Sequence, residues 1–325
     1  MIDQYRRNID YVRISVTDRC NLRCIYCMPE EGVAWTPHHE ILTYDEIYQI
    51  SEIFAELGIS KIKITGGEPL VRKNISHLIS SLKKIHGIEN VTLTTNGLLL
   101  GEQITSLAQA GIDGINISLD TLNDDIYKEI TRYRGVMKVC DSLMAAKEFK
   151  NIKIKVNCVP IKGMNDEEIT QLASLAKNNA ICVRFIEMMP IGLGKQFKAY
   201  GETELVAVLE EKLGGLIPYA VKQGNGPARY YDIPGFIGKI GFISALSHQF
   251  CSGCNRIRLS STGFLKTCLQ YEQGTELKSL LRDGLDKNLL KETISQAIYG
   301  KPLQHSFGRP ELCTSTSKKM FEIGG

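Results

Sequence analysis

Six short runs of alternating apolar and polar residues, separated by helix-like segments, constrain the fold of this 325-residue chain most strongly. Alternation of this kind predicts strands, and apolar residues at the helical period predict the helices between them. Strands and helices in this order form a parallel sheet covered by helices. The predicted strands are 11–16, 61–65, 90–95, 113–119, 152–159 and 181–187. The predicted helices span about 44–57, 74–86, 101–110, 123–131, 136–149 and 166–178, and Thr121–Asp124 matches a capping box at the start of the fourth.

Each of the first five strands has one apolar face and one polar face. On the first strand, for example, Val12 and Ile14 alternate with Arg13 and Ser15. The apolar faces of parallel strands pack against the helices, so the polar faces point inward. Because a polar interior is unfavourable unless it holds water or a polar ligand, we expect a wide, partly open barrel around a hydrophilic cavity. An antiparallel sheet with one wet face is the alternative, which the intervening helices disfavour.

The last third of the chain has a different pattern, with short strands followed by two helices. The predicted strands are 229–233, 238–243, 256–260 and 264–268, and the predicted helices span about 276–282 and 287–298. We therefore predict two domains, a barrel at residues 4–226 and a C-terminal extension at 227–325 that packs on the barrel.

Two groups of three cysteines lie near opposite ends of the chain. The first is Cys20, Cys24 and Cys27, and the second is Cys251, Cys254 and Cys268. Each group offers three thiolates, whereas a closed [4Fe–4S] site has four, so one iron would stay open to a small molecule. The first spacing arises by chance with a probability of roughly one in a hundred. The pair at 251 and 254 is weaker evidence for a cluster, since it also fits half a zinc site or a redox motif. Disulfides are disfavoured because nothing in the sequence resembles a signal peptide.

Residues suited to ligand binding follow several of the predicted strands. Gly66-Gly67-Glu68-Pro69 follows the second strand, Asn96-Gly97 the third and Met188-Met189-Pro190 the sixth. Ligands in parallel α/β folds collect at the carboxyl ends of strands. We expect the two adjacent glycines to allow a close approach of the backbone to a ligand, although a plain turn would also explain them.

Basic residues replace the usual phosphate loops, which are absent from this sequence. Lys63 and Lys155, on the inward faces, could bind phosphate as point charges. Arg13, Arg256 and Arg258 could supply forked donors, and the last two share a face of one strand. The alternative is that these residues form a solvated basic surface. For Lys63 and Lys155, the predicted polar interior disfavours this alternative.

The overall charge is nearly balanced, with 39 basic and 36 acidic residues and a net charge of +3. This balance predicts binding neither to bulk nucleic acid nor to a membrane surface, and no apolar run approaches the ~20 residues of a membrane span. A cytoplasmic protein is the expectation. Cys140, Cys158 and Cys182 lie among apolar neighbours and are predicted to be core residues, whereas Cys313 and the six histidines receive no role.

The first cysteine spacing and the Gly-Gly-Glu-Pro segment resemble the radical S-adenosylmethionine (SAM) superfamily. Longer segments resemble one family within it, the GTP 3',8-cyclases, over nearly the whole chain. These segments are Arg13-Ile-Ser-Val-Thr-Asp-Arg-Cys20-Asn-Leu-Arg-Cys24, Thr65-Gly-Gly-Glu-Pro-Leu, Thr94-Thr-Asn-Gly, Ile117-Ser-Leu-Asp, Phe250-Cys-Ser-Gly-Cys-Asn-Arg-Ile-Arg258 and the terminal Gly324-Gly325. The resemblance implies an α/β fold, namely a partial (β/α)6 barrel of the TIM type with a C-terminal extension that carries a second iron–sulfur cluster.

The resemblance also implies roles for individual residues. Two [4Fe–4S] clusters and SAM would be the cofactors, with one cluster on each group of three cysteines. The residues at SAM-contacting positions are Tyr26, Gly67, Ser118 and Met189. Those at GTP-contacting positions are Arg13, Lys63, Thr94, Lys155, Arg256, Ile257 and Arg258, of which the three arginines would be catalytic. The terminal Gly-Gly would lie inside the active site.

The implied reaction converts GTP to (8S)-3',8-cyclo-7,8-dihydroguanosine 5'-triphosphate, the first step of molybdenum cofactor biosynthesis. The implied partners are an external one-electron donor, a downstream cyclic pyranopterin monophosphate synthase and a second copy of the chain in a homodimer. Two alternatives stay open. One is a radical SAM enzyme that modifies peptides and carries an auxiliary cluster, and the other is an iron–sulfur electron carrier without enzyme activity.

Overall fold

The structure of the chain, a computed structural model, describes residues 1–284 and 286–307. Cys313 and the terminal Gly324-Gly325 lie outside the described residues. In the described part, no helix is both long enough and apolar enough to span a lipid bilayer.

Six parallel strands lie side by side in chain order, and each pairs with the next. They are β1 (Tyr11–Ser15), β2 (Lys61–Thr65), β3 (Asn90–Thr95), β4 (Gly114–Ser118), β5 (Lys153–Cys158) and β6 (Cys182–Ile186). The six predicted strands are confirmed to within about one residue at each end. Their Ile, Val and Thr residues suit a pleated sheet with one buried face.

The C-terminal third extends this sheet at both edges. Its strands are β7 (Ile217–Tyr219), β8 (Arg229–Asp232), β9 (Lys239–Ile243), β10 (Arg256–Leu259), β11 (Phe264–Lys266) and β12 (Thr275–Glu276). β10 pairs in parallel with β1, and β9 pairs in parallel with β6, while the other four continue the edges in antiparallel fashion. The predicted extension therefore does more than pack on the barrel, because it supplies two strands of its wall.

Helices cover the outer face of the sheet. They are α1 (Tyr44–Glu56), α2 (Ile75–Lys83), α3 (Leu100–Gln109), α4 (Asp124–Thr131), α5 (Val136–Ala146), α6 (Ile169–Ser174), α7 (Glu202–Leu213), α8 (Leu277–Arg282) and α9 (Lys287–Tyr299). The apolar faces of the strands pack beneath them, so Ile62, Ile64 and Leu93 are fully buried. Each such side chain contributes roughly 1.5–3 kcal/mol by leaving water. The predicted inward direction of the polar faces is confirmed, since Thr92 and Thr94 line the interior.

Helix α4 begins within one residue of its predicted start, but the predicted capping box at Thr121–Asp124 was wrong. Asn123, not Thr121, caps the helix, because its Oδ1 accepts hydrogen bonds from the amides of Asp125 (2.8 Å) and Ile126 (3.2 Å). The Thr121 hydroxyl instead donates to the Glu168 carboxylate. Asn satisfies the unpaired amides of a helix start as well as Thr does.

Candidate active site

A cavity of about 420 Å³ occupies the concave side of the sheet. Its wall contains both cysteine groups and nearly all of the predicted site residues. These lining residues are Cys20, Cys24, Cys27, Cys251, Cys254, Cys268, Arg13, Tyr26, Lys63, Gly67, Thr94, Ser118, Lys155, Met189, Arg256 and Arg258. Ile257 is the exception, because it lies fully buried in the hydrophobic core on the opposite face of β10.

The two cysteine groups lie at opposite ends of the strands. Cys20 follows the carboxyl end of β1, whereas Cys254 precedes the amino end of β10. β10 runs parallel to β1 with Arg256 opposite Tyr11, so these ends are separated by the length of β1. Five residues of strand span about 16 Å. The cavity therefore has three thiols at each end, as the sequence suggested.

The first cysteine group lies in a loop held by its own backbone and by one arginine. The amides of Cys27 and Met28 both donate to the Cys24 carbonyl at 2.9 Å. Arg132, at the end of α4, donates from Nη1 to the carbonyls of Arg23 (2.8 Å) and Met28 (3.1 Å). Burial raises the pKa of Cys20 to about 11. Such thiols ionise when a cation or a metal centre compensates the charge.

The second cysteine group lies in a more positive environment. Burial opposes ionisation of Cys254, but the Lys301 and Arg256 cations outweigh it and lower the pKa of this thiol to about 7. Lys301 itself is buried and donates to the carbonyls of Arg256 (2.9 Å) and Thr267. This lysine was missed from the sequence, since nothing in the local pattern places it beside the cysteines.

The donor set at each end suits an iron–sulfur cluster. All nine cysteines in the described residues are free, so the thiols remain available as ligands. Within residues 1–284 and 286–307, no three His, Cys, Asp or Glu side chains converge on a single metal ion. The three thiolates of a [4Fe–4S] site bind three different irons, so they need not converge in that way.

The turn after β2 packs tightly against the segment that leads into the first cysteine group. A Cβ on Gly67 would lie 2.4 Å from the Arg19 carbonyl oxygen, so only glycine fits. Glu68 is buried, and its carboxylate accepts hydrogen bonds from Thr95 Oγ1 (2.7 Å) and from the amides of Leu70 (3.0 Å) and Asn96 (2.7 Å). Burial raises the pKa of this carboxyl to about 7. The turn thus fixes the cysteine loop on one side and borders the cavity on the other.

Tyr26 and Asp120 form a polar contact beside the first cysteine group. The Tyr26 hydroxyl donates to Asp120 Oδ2 at 2.6 Å, and the Val159 amide donates to Oδ1 at 2.8 Å. Burial raises the pKa of Asp120 to about 6. The resemblance implied Tyr26 only as a SAM contact, whereas the structure shows that its hydroxyl binds Asp120, two residues beyond the end of β4.

Cations line the cavity between the two cysteine groups and beside them. They are Arg13, Lys63, Lys153, Lys155, Arg184, Arg256, Arg258 and Lys301. Burial and the neighbouring Arg184 lower the pKa of Lys63 well below its ordinary value and that of Lys155 to about 8. Burial also lowers the pKa of Arg13 to about 10. Such shifts indicate that the cations repel one another at a site poor in water.

The carboxylates of the cavity wall pair with none of Lys63, Lys155 and Arg184. Asp113 pairs with Lys83 (2.8 Å), and Glu187 accepts from the amides of Leu246 (2.7 Å) and Ser247 (3.0 Å). Glu68 and Asp120 have the partners given above. In the described chain, Lys63 and Lys155 have neither a carboxylate nor another acceptor within hydrogen-bond distance, although each side chain belongs to a residue only 9% exposed. The cavity is therefore a site for a polyanion.

Arg184 is a further site residue that the sequence interpretation missed. It lies on β6, is 7% exposed, and donates from Nε to Asn157 Oδ1 at 2.9 Å. The face of β6 that carries Arg184 also carries Cys182 and Ile186, so it lacks the polar pattern that identified Lys63 and Lys155.

Two family models match the chain and together cover most of it. Residues 14–176 match the radical SAM superfamily, and residues 181–307 match the family described as Molybdenum Cofactor Synthesis C. The division between these matches precedes β6. The domain boundary at residues 226 and 227 stays a prediction.

Curated relatives resemble the chain along its whole length. The GTP 3',8-cyclase of Clostridium perfringens (strain SM101 / Type A) is 45% identical over 325 residues, which is 100% of each chain. The GTP 3',8-cyclase of Desulforamulus reducens is 46% identical over 308 residues, covering 94% of this chain and 95% of the relative. Molybdenum cofactor biosynthesis protein 1 of Dictyostelium discoideum is 41% identical over 330 residues, covering 100% of this chain and 52% of the relative.

Solved structures of SuiB from Streptococcus suis share the fold. SuiB bound to the precursor peptide SuiA matches with a TM-score of 0.59 and 16% identity, over 92% of this chain and 66% of that chain. SuiB bound to S-adenosylmethionine matches with a TM-score of 0.57 and 16% identity, over 87% and 68%. At this identity the likeness shows the architecture alone, which is the predicted barrel.

Proposed function

The chain belongs to the GTP 3',8-cyclase family, and we propose that it binds GTP between its two cysteine groups and joins C3' of the ribose to C8 of the guanine. It is a radical SAM enzyme, so SAM and a [4Fe–4S] cluster are its cofactors. The proposed product is (8S)-3',8-cyclo-7,8-dihydroguanosine 5'-triphosphate, with which molybdenum cofactor biosynthesis begins. The observation that supports GTP most directly is the set of buried cations between the cysteine groups.

The first cysteine group and the residues around it hold the radical-generating cofactors in this proposal. Cys20, Cys24 and Cys27 bind the cluster, and Tyr26, Gly67, Ser118 and Met189 contact SAM, since all of these residues line the same end of the cavity. When bound, these cofactors would supply the radical chemistry that removes the hydrogen atom from C3' of GTP. The new bond would join C3' to C8, and one electron from the external donor and one proton would complete the product.

The cations and the second cysteine group position GTP. Lys63, Lys155 and Arg184 attract the triphosphate, and Thr94 and Arg13 contact it further along the wall. Cys251, Cys254 and Cys268 hold a second [4Fe–4S] cluster near the guanine, flanked by Arg256 and Arg258 on the inward face of β10. Ile257 contributes through its backbone only, because its side chain lies in the core.

Positioning is the main contribution of the protein to the rate. Holding C3' and C8 near contact distance makes the ring closure effectively intramolecular, which corresponds to effective concentrations of roughly 10⁵–10⁸ M in favourable cases. The curved sheet and the segment 301–307 enclose the reacting atoms and exclude water. We assign Arg13, Arg256 and Arg258 to orienting GTP for this step.

The other partners of the chain and its location are also proposed from its membership of this family. An external one-electron donor starts the reaction, a cyclic pyranopterin monophosphate synthase consumes the product, and the chain acts as a homodimer in the cytoplasm. The terminal Gly324-Gly325, which lies outside the described residues, is proposed to take part in the active site.

One anaerobic experiment tests the function. The clusters are reconstituted and reduced, SAM and GTP are added, and the products are identified by mass spectrometry. Both 5'-deoxyadenosine and a cyclised isomer of GTP are expected. 5'-Deoxyadenosine without the isomer would keep the radical SAM assignment and contradict GTP as the substrate.

A further inference from the structure

A short loop, residues 223–227, lines the cavity where the strands begin. Asn225 fixes this loop on two sides. Its Nδ2 donates to Oδ1 of Asn90 at 2.6 Å, and its carbonyl accepts from Nδ2 of Asn255 at 3.3 Å. Because Asn90 begins β3 and Asn255 directly precedes β10, the loop is tied to the sheet at two separate strands.

Gly224 of this loop faces the Lys155 ammonium. A Cβ built on Gly224 would lie 2.2 Å from Lys155 Nζ and 3.6 Å from its Cε. The first distance is far inside van der Waals contact, so any other residue at 224 would displace the ammonium. The displaced atom is the tip of a flexible side chain. We therefore expect the substitution to leave the fold intact but to move the Lys155 ammonium.

Little else in the described chain determines where the Lys155 ammonium lies. It has no carboxylate partner or other acceptor there, and the charged groups around it, Arg184, Lys153 and Lys63, repel it, with Cys182 nearby. The residue is only 9% exposed, so water holds it weakly. The contact with Gly224 limits how far the Lys155 ammonium can move toward that side of the cavity.

We infer that Gly224 is a positioning residue for the triphosphate of GTP, because its missing side chain lets the Lys155 ammonium occupy the point where it meets the phosphates. The inference rests on the proposed function, since GTP is taken as the ligand. Gly224 would thus be a determinant of phosphate binding that carries no charge and has no side chain to contact the ligand.

The test is a double-mutant cycle on the reconstituted enzyme. Dissociation constants for GTP and GMP are measured by anaerobic equilibrium dialysis for the wild type, Gly224→Ala, Lys155→Ala and the double variant. The control is Gly215→Ala, because a Cβ at Gly215 meets nothing within 4 Å. Each single variant should weaken GTP binding about tenfold, the effect of losing one charge-assisted hydrogen bond, and GMP binding less than about twofold.

The double variant should be no weaker than about twice either single variant, because both changes act on one ammonium. Gly215→Ala should bind both nucleotides like the wild type. Unchanged GTP affinity in Gly224→Ala, effects that multiply in the double variant, or an equal loss of GMP binding would each overturn the inference. A wild type that bound no GTP would overturn the proposed function itself.

Discussion

At the scale of single residues, the buried cations determine what the cavity can hold. Lys63, Lys155 and Arg184 have lost most of their hydration, and the carboxylates of the cavity wall have other partners. A neutral ligand would leave this charge uncompensated at the cost of several kcal/mol per buried ion. A triphosphate offsets it, which is why we favour GTP over the peptide substrates of other radical SAM enzymes.

Lys155 should make GTP binding depend on pH. Burial and Arg184 lower its pKa to about 8, whereas a bound triphosphate favours the charged form. GTP binding therefore takes up a proton above about pH 8, so affinity should fall as pH rises from about 7 to about 9. Lys155→Arg should flatten this profile, because arginine stays protonated. Dissociation constants at three pH values would show it, and parallel profiles for the two proteins would contradict this role.

The same lowered pKa has an opposite consequence for folding. Between about pH 8 and the ordinary lysine value of 10.5, the unfolded chain binds more protons at this position than the folded chain. The contribution of Lys155 to stability thus rises with pH in that window. Below it, the buried charge destabilises the ligand-free protein, and GTP should raise its melting temperature.

Cys20 and Arg256 should separate the two halves of the reaction. Cys20→Ser removes a ligand of the first cluster, so SAM cleavage should be lost entirely. Arg256→Ala leaves that cluster intact and should allow SAM cleavage while cyclisation of GTP falls at least about a hundredfold, as expected when a positioning group is lost. Both products are measured by mass spectrometry. Normal cyclisation in either variant would show that the site is wrongly assigned.

At the scale of elements, the turn after β2 supports the first cysteine group. Gly67→Ala would force a Cβ against the Arg19 carbonyl, and backbone cannot yield as a side-chain tip does. We expect this variant to bind less than half of the iron of the first cluster, with the second cluster retained. Iron analysis and EPR spectra of the reduced protein test this, with Gly215→Ala as the control. Full iron content in Gly67→Ala would contradict a supporting role for the turn.

The strands themselves were easier to predict from the sequence than the pairing between them. The alternation on β1 to β5 is a local signal, and it correctly located these strands and their inward faces. The pairing of β10 with β1 joins segments from opposite ends of the chain, which no local pattern encodes. Helix α7 was missed because Leu205-Val-Ala-Val-Leu209 and the acidic residues around it form no clear apolar stripe.

The candidate site divides in the same way. The cysteine spacings and the inward cations Arg13, Lys63 and Lys155 were visible in the sequence, whereas Arg184 lies on a strand without a polar face. The positions of Lys301 beside the second cysteine group and of Gly224 against Lys155 follow from long-range packing. Such contacts could be found only once the fold was known.

At the scale of the whole molecule, the first residues of the chain hold the second cysteine group in place. Arg7 is buried and forms an ion pair with Asp3 at 2.6 Å. Its Nη1 donates to the carbonyls of Cys251 (3.0 Å) and Leu303 (2.8 Å), and its Nη2 donates to that of Pro302 (2.7 Å). One side chain thus connects the N-terminal segment, the second cysteine loop and the segment 301–307.

Arg7→Ala should weaken this connection. Removing one partner of a buried ion pair costs about 3–5 kcal/mol, so the midpoint of urea unfolding should fall clearly. Iron at the second cluster should fall more than iron at the first, and SAM cleavage should persist. Arg6→Ala, a change at an exposed neighbour, is the control. Equal loss of iron at both clusters would contradict the specific link to Cys251.

The central claim is that one cavity brings a radical source and GTP together. The most direct measurement uses GTP deuterated at C3' with the reduced, reconstituted enzyme and SAM under anaerobic conditions. The account predicts that deuterium appears in 5'-deoxyadenosine and that a cyclised GTP isomer forms with it. 5'-Deoxyadenosine without deuterium, with GTP unchanged, would contradict it.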